Sequence, residues 1–174
     1  MQLSLGVRPD TARFSECGTY RYNLTRELGG ERPLVICGLN PSIATAVKND
    51  RTIRKEVGFA NRWGLGRLVK VNAYGFVAQF PVDMKRAAKS GVDIIGPDND
   101  EAIRLAAGLA CLTDGIFLAA WGANIEPKRQ ADLWSILRFC GVPIMCLGTN
   151  KDGTPEHPLY IPYERPLREW RPPT

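Results

Sequence analysis

PLVICGLNPSIA, residues 33–44, reads as a buried strand that stops in a sharp turn. Leu34, Val35 and Ile36 form an unbroken apolar run, the pattern of a strand covered on both faces in a parallel sheet. Gly38, Asn40 and Pro41 then turn the chain and leave an amide side chain at the strand's carboxyl end. In open α/β sheets ligands bind outside those carboxyl ends.

The same pattern recurs along the chain. RLVKVNAYG (67–75), GIFLAAWG (115–122) and VPIMCLG (142–148) are short, apolar and close on Gly or Asn, and TYRYNL (19–24) reads as a further short strand. RTIRKEVGFANRWG (51–64) between them places Ile53, Val57 and Ala60 at helical spacing, with Arg51, Arg54 and Lys55 on the other side and Gly64 as a stop. DNDEAIRLAAGLACL (98–112) has an acidic first turn, then Ile103, Ala106, Ala107 and Ala110 on one face. PKRQADLWSILRFCG (127–141) opens on Pro127, turns Leu133, Ile136, Leu137 and Cys140 inward, and ends at Gly141. VDMKRAAKSG (82–91) is a weaker helix. Strands alternating with helices predict an α/β fold: a three-layer α/β/α sandwich around a central, mainly parallel four-stranded sheet. One domain over residues 1–174 is expected, with 1–18 and 163–174 as peripheral terminal segments. From Pro155 onward six prolines suit an extended segment laid over the surface.

Composition narrows the classes. Hydrophobic residues at 44% and charged residues at 24% are ordinary for a globular chain. No apolar run approaches the roughly 20 residues of a membrane helix, and MQLSLGVRPD lacks an export-signal pattern, so a cytoplasmic protein without a membrane partner is expected. Five cysteines without a CxxC, beside a single histidine, argue for small buried thiols rather than a metal site, and no metal or other cofactor is expected. A net charge of +5 favours an anionic partner.

Each strand end carries polar or aromatic side chains. Asn40-Pro41-Ser42 follows the first, Asn72 with Tyr74 and Phe76 the second, and Trp121-Gly122 the third; beyond the fourth lies GTNKDGTPEHPLY with His157. Parallel strands bring these ends to one edge, so four separate stretches converge on one cleft. The set GLNPS, VNAYGF, FLAAWG and HPLY, across residues 20–162, resembles the motifs of the uracil-DNA glycosylase superfamily, most closely the branches with an Asn-Pro first motif. Together with NDRTIRK it also looks like a bacterial and phage family known only as a domain of unknown function.

The glycosylase resemblance implies a uracil-DNA-glycosylase-like fold and the hydrolysis, without a metal, of the N-glycosidic bond of uracil or another deaminated or modified base flipped out of DNA. Within the first motif, Leu39, Asn40, Pro41 and Ser42 would border the base, and the Asn40 side chain would position the attacking water. Asn72 would read the polar edge of the base, since an amide offers both a donor and an acceptor. Tyr74 or Phe76 would stack on it. His157 would donate a hydrogen bond to the oxygen that gains charge as the base departs, and Leu159 or Tyr160 would wedge into the space it vacates. The Ser-Pro that follows His-Pro in the superfamily is missing here, and Asn40 stands where some branches have an acid.

NDRTIRK has no counterpart in those branches. Asp50 is either a carboxylate that orients water or the cap of the next helix, with Thr52 in support. Arg51, Arg54 and Lys55 would contact phosphates of single- or double-stranded DNA at that helix start. Read singly, Asn40 and Asn72 are most simply turn caps, Trp121 core packing and His157 a surface residue; their convergence on one edge is what favours a site. Other classes keep the pocket but change the chemistry: a non-catalytic module that binds a base or nucleotide, or an enzyme acting on a free or modified nucleotide. A monomer is expected.

Overall fold

The computed structural model describes residues 10–173, so most of MQLSLGVRPD, on which the export reading rested, lies outside the described residues. Seven strands form one mixed sheet: β1 (Thr11–Phe14), β2 (Arg21–Glu27), β3 (Pro33–Gly38), β4 (Arg67–Asn72), β5 (Ile116–Ala119), β6 (Ile144–Cys146) and β7 (Arg168–Glu169), in the spatial order β1-β2-β4-β3-β5-β6-β7. Four helices accompany them: α1 (Arg51–Arg62), α2 (Pro81–Lys89), α3 (Asn99–Leu112) and α4 (Pro127–Cys140). Among the described residues no helix is long and apolar enough to cross a membrane.

The α/β class is as expected, but the sheet is larger and mixed rather than four-stranded. The four strands read from apolar runs are its parallel centre, β4-β3-β5-β6. β1 and β2 extend it antiparallel beyond β4, and β7 pairs antiparallel with β6. β2 overlaps the strand expected at TYRYNL, whereas β1 and β7 escape a hydrophobicity reading for a physical reason. Edge strands are short and charged, as TARF and the two-residue β7 are, because exposed backbone edges must be kept from pairing with other chains.

Alternating side chains of the central strands fill two cores. Val35, Cys37, Val71 and Phe117 face α3 and α4, where Ile103, Ala107, Leu133 and Leu137 close the packing. Leu34, Ile36, Leu68 and Leu118 face α1 and its Ile53, Phe59 and Ala60. From β3 the chain passes through α1 on one face to β4, then through α3 on the other face to β5 on β3's opposite flank. The order of the parallel strands therefore reverses at β3, and the carboxyl ends of β3 and β5 splay a crevice between them.

Phe59 anchors the α1 core. It is fully buried, with Trp63 and Tyr163 rings at 5.1 and 4.8 Å. Phe59→Ala is expected to lower unfolding free energy by about 3–5 kcal/mol in denaturant titrations; a loss under about 1 kcal/mol would mean that α1 does not depend on this ring.

Candidate functional site

The crevice is a cleft of about 830 Å³ at the carboxyl ends of β3, β4 and β5, walled by the start of α1 and by the turn carrying His157. Of the residues singled out in the sequence, Leu39, Asn40, Ser42, Asp50, Arg51, Arg54, Asn72, His157 and Leu159 all line it.

Asn72 ends β4 at the cleft floor. It is 1% exposed, and among the described residues neither its Oδ1 nor its Nδ2 has a hydrogen-bond partner. A buried amide without partners costs about 1–3 kcal/mol. Gly38 on the neighbouring strand makes room for it: a Cβ at position 38 would lie 3.0 Å from Asn72 Oδ1 and 2.7 Å from Lys70 Nζ. Asn40 is held differently. Its Nδ2 donates to the carbonyls of Ala78 (2.8 Å) and Pro41 (3.0 Å), which leaves Oδ1, an acceptor, as the amide's remaining polar atom.

Asp50 caps α1: its Oδ1 accepts the Ile53 N–H at 2.8 Å, as expected of an aspartate at that position. His157 caps the short 3-10 turn Pro158–Tyr160, where the Leu159 N–H donates to its Nδ1 at 3.3 Å. A ring accepting at Nδ1 carries its neutral-form proton on Nε2, so Nε2–H is the atom available to a ligand. The residue is exposed by surface area, as the sequence reading expects, yet the atoms crowded around the ring desolvate it, and with the lesser effect of the Lys70 ammonium they bring its pKa down to about 4, against a smaller opposing pull from Asp50. The imidazole is neutral at pH 7 and a donor rather than an acid.

Other sequence candidates lie elsewhere. Tyr74 is in the core, 2% exposed, its hydroxyl accepting the Glu126 N–H, and burial raises its pKa. Phe76 packs edge-on against Tyr20. Pro41 is buried, its carbonyl used by Asn40 and Ala78. Lys55 places its ammonium 3.7 Å over the Tyr163 ring, and Tyr160 is 81% exposed outside the cleft. Trp121, by contrast, is core packing that also borders the cleft, its indole N–H donating to Gln130 Oε1. Of the cysteines, Cys37 and Cys146 are buried, whereas Cys17 and Cys111 are exposed.

Three contributors were not anticipated. Lys70 reaches the floor from β4 and pairs with Glu56 of α1, both buried. Burial raises the Glu56 carboxyl pKa, and Lys70 opposes the rise. Their alternation with Leu68 and Ile53 was the available signal, since charged residues at core positions are buried in pairs or at sites. Arg21 enters from β2 and donates to the Ala44 carbonyl at 2.7 Å. Phe80, 55% exposed, stands at the lip on the segment that Asn40 holds through Ala78. Altogether Arg21, Lys48, Arg51, Arg54 and Lys70 face two carboxylates, Asp50 and Glu56, so the cleft is cationic.

Fold and site define an α/β protein whose switch-point cleft joins unsatisfied amides to excess positive charge, suited to a ligand with a polar edge and an anionic group. The chain belongs to the family described as Protein of unknown function (DUF1643), whose model matches residues 21–159, a span that includes every cleft residue named above. No curated protein and no solved structure matches it.

The imidazole supplies a direct check. His157 should titrate near pH 4 in histidine-resolved NMR, against 6.5 for an unperturbed ring. Because the folded pKa is the lower one, the unfolded chain binds the proton first, and stability should fall as pH drops from 6.5 towards 4. His157→Gln should remove that component of the slope; a ring titrating at 6.5 would contradict the environment described.

Proposed function

We propose that this chain recognises a nucleobase in the cleft and hydrolyses its N-glycosidic bond in the manner of a DNA glycosylase, acting on uracil or another deaminated or modified base flipped from DNA. The observation that carries the reading is Asn72: a buried amide presenting an unpaired donor and an unpaired acceptor side by side matches the edge of a pyrimidine. The resemblance of the strand-end motifs to the uracil-DNA glycosylase superfamily supports it from the sequence, and the cationic cleft supports a nucleic-acid ligand.

The geometry supports the following roles. Asn40 Oδ1 accepts from the attacking water while its fixed amide hydrogens hold it in place. Asp50, with Oδ1 engaged by α1, keeps Oδ2 for that water. His157 Nε2–H donates to the base oxygen that becomes negative as the glycosidic bond breaks, electrostatic stabilisation that needs no proton transfer. Phe80 offers the flat apolar surface against which the base stacks, and Leu159 fills the gap in the stack. Arg51 and Arg54 take the flanking phosphates.

Base release from labelled oligonucleotides carrying uracil, hypoxanthine, xanthine, mismatched thymine or hydroxymethyluracil, read by alkaline cleavage, tests this. Asn40→Ala and His157→Ala should each reduce release by about 100-fold or more while circular dichroism shows both variants folded. Release from none of these, or release indifferent to both variants, would overturn the catalytic assignment.

A further inference from the structure

Arg21 is buried without being satisfied. It is 2% exposed, its guanidinium borders the cleft, one terminal nitrogen donates to the Ala44 carbonyl, and among the described residues its Nε has no hydrogen-bond partner. Its position is built into the sheet. In the β1–β2 pairing Arg13 faces Asn23 but Phe14 faces Arg21, so Tyr22 is an extra residue. Such a bulge breaks the in-out alternation and re-aims the side chain beside it.

The wall beyond Arg21 continues the charge. Lys48, Arg51 and Arg54 are exposed on it, and among the described residues none forms an ion pair with a carboxylate. Among the described residues Asp50 is the one carboxylate lining the cleft, its Oδ1 committed to the Ile53 N–H, while the buried Glu56 behind it acts on Arg21 by charge but is paired with Lys70. A buried guanidinium with an unused N–H is costly unless an anion completes it, and oxygen anions of phosphate geometry match its fork. Its depth matters equally. Phosphates along the outside of a nucleic acid meet exposed cations, whereas a cation this deep meets only a group carried into the cleft with the ligand.

We propose that Arg21, flanked by Lys48, Arg51 and Arg54, forms a subsite for the phosphate attached to the nucleotide whose base enters the cleft. This rests on the reading of Asn72 as the base-recognising group, and it adds a ligand requirement: the nucleotide, not the nucleoside, is the unit recognised.

Isothermal titration of the full chain with deoxyuridine, its 3′- and 5′-monophosphates, inorganic phosphate and a uracil-containing single-stranded dodecamer tests it. One of the monophosphates should bind about 10- to 100-fold tighter than the nucleoside, and Arg21→Gln should erase that advantage together with inorganic phosphate binding. Should Arg21→Gln fail to fold, as judged by circular dichroism, the exposed pair Arg51→Ala with Arg54→Ala serves instead: a reduced phosphate advantage supports the subsite, an unchanged one overturns it. Equal affinity for nucleoside and both monophosphates overturns it while leaving base recognition standing. Arg21-dependent monophosphate binding that is no tighter than binding of inorganic phosphate and is indifferent to Asn72→Ala supports a phosphate site at Arg21 and removes the base reading instead. Given an Arg21-dependent phosphate advantage, the tighter of dodecamer and mononucleotide identifies the phosphate's source as a nucleic-acid backbone or a free nucleotide.

Discussion

The ion pair between Lys70 and Glu56 is the constraint on which the cleft depends. Glu56 is fully buried and Lys70 nearly so, between a strand of the sheet and the helix that covers it. Removing one partner of such a pair leaves an uncompensated buried charge, at a cost of about 3–5 kcal/mol. The pair fixes how α1 lies on β4, and so where the start of α1, with Asp50, Arg51 and Arg54, stands relative to Asn72. It also explains the glycine of GLNPS: any side chain at position 38 would collide with the Lys70 ammonium from the adjacent strand. The turn that opens the cleft is thus dictated partly by a neighbour more than thirty residues away in sequence.

Legibility in the sequence followed the physics of burial. Strands covered on both faces carry continuous apolar runs, so β3, β4, β5 and β6 were readable, as were the amphipathic helices between them. Strands whose job is to end the sheet carry charge, and their membership is a tertiary fact. The proline-rich tail misleads in the same way: Trp170 is 2% exposed and packs edge-on against Trp121 and Trp134, while the two residues before it cover the edge of β6. An indole that large was the available hint that the tail is inserted rather than draped.

At the site, strand ends converged as topology requires, which is why Asn40, Asn72 and His157 could be placed together. Proximity in sequence was the poorer guide. Tyr74 and Phe76 follow Asn72 closely, yet alternation and the turn send them to the core and to Tyr20, and the aromatic at the lip is Phe80. Arg26 was equally hidden: from β2 it holds the loop after β3, donating to Asn49 Oδ1 at 2.7 Å and to the Thr45 carbonyl. Polar side chains that organise a loop from a distant strand leave no periodic trace.

The bulge in β2 has an evolutionary corollary. Arg21 and Leu24 are three residues apart, so a regular strand would put them on opposite sides of the sheet; the extra residue Tyr22, absorbed as a bulge, lets both share a side, and relaxing the bulge without shortening the strand would turn the arginine outward. Relatives could then diverge in what they bind through the spacing of residues in an edge-proximal strand and whether a bulge absorbs it, while their strand-end motifs stay the same. In comparing such chains, the spacing between this strand and GLNPS carries as much information as the motifs themselves.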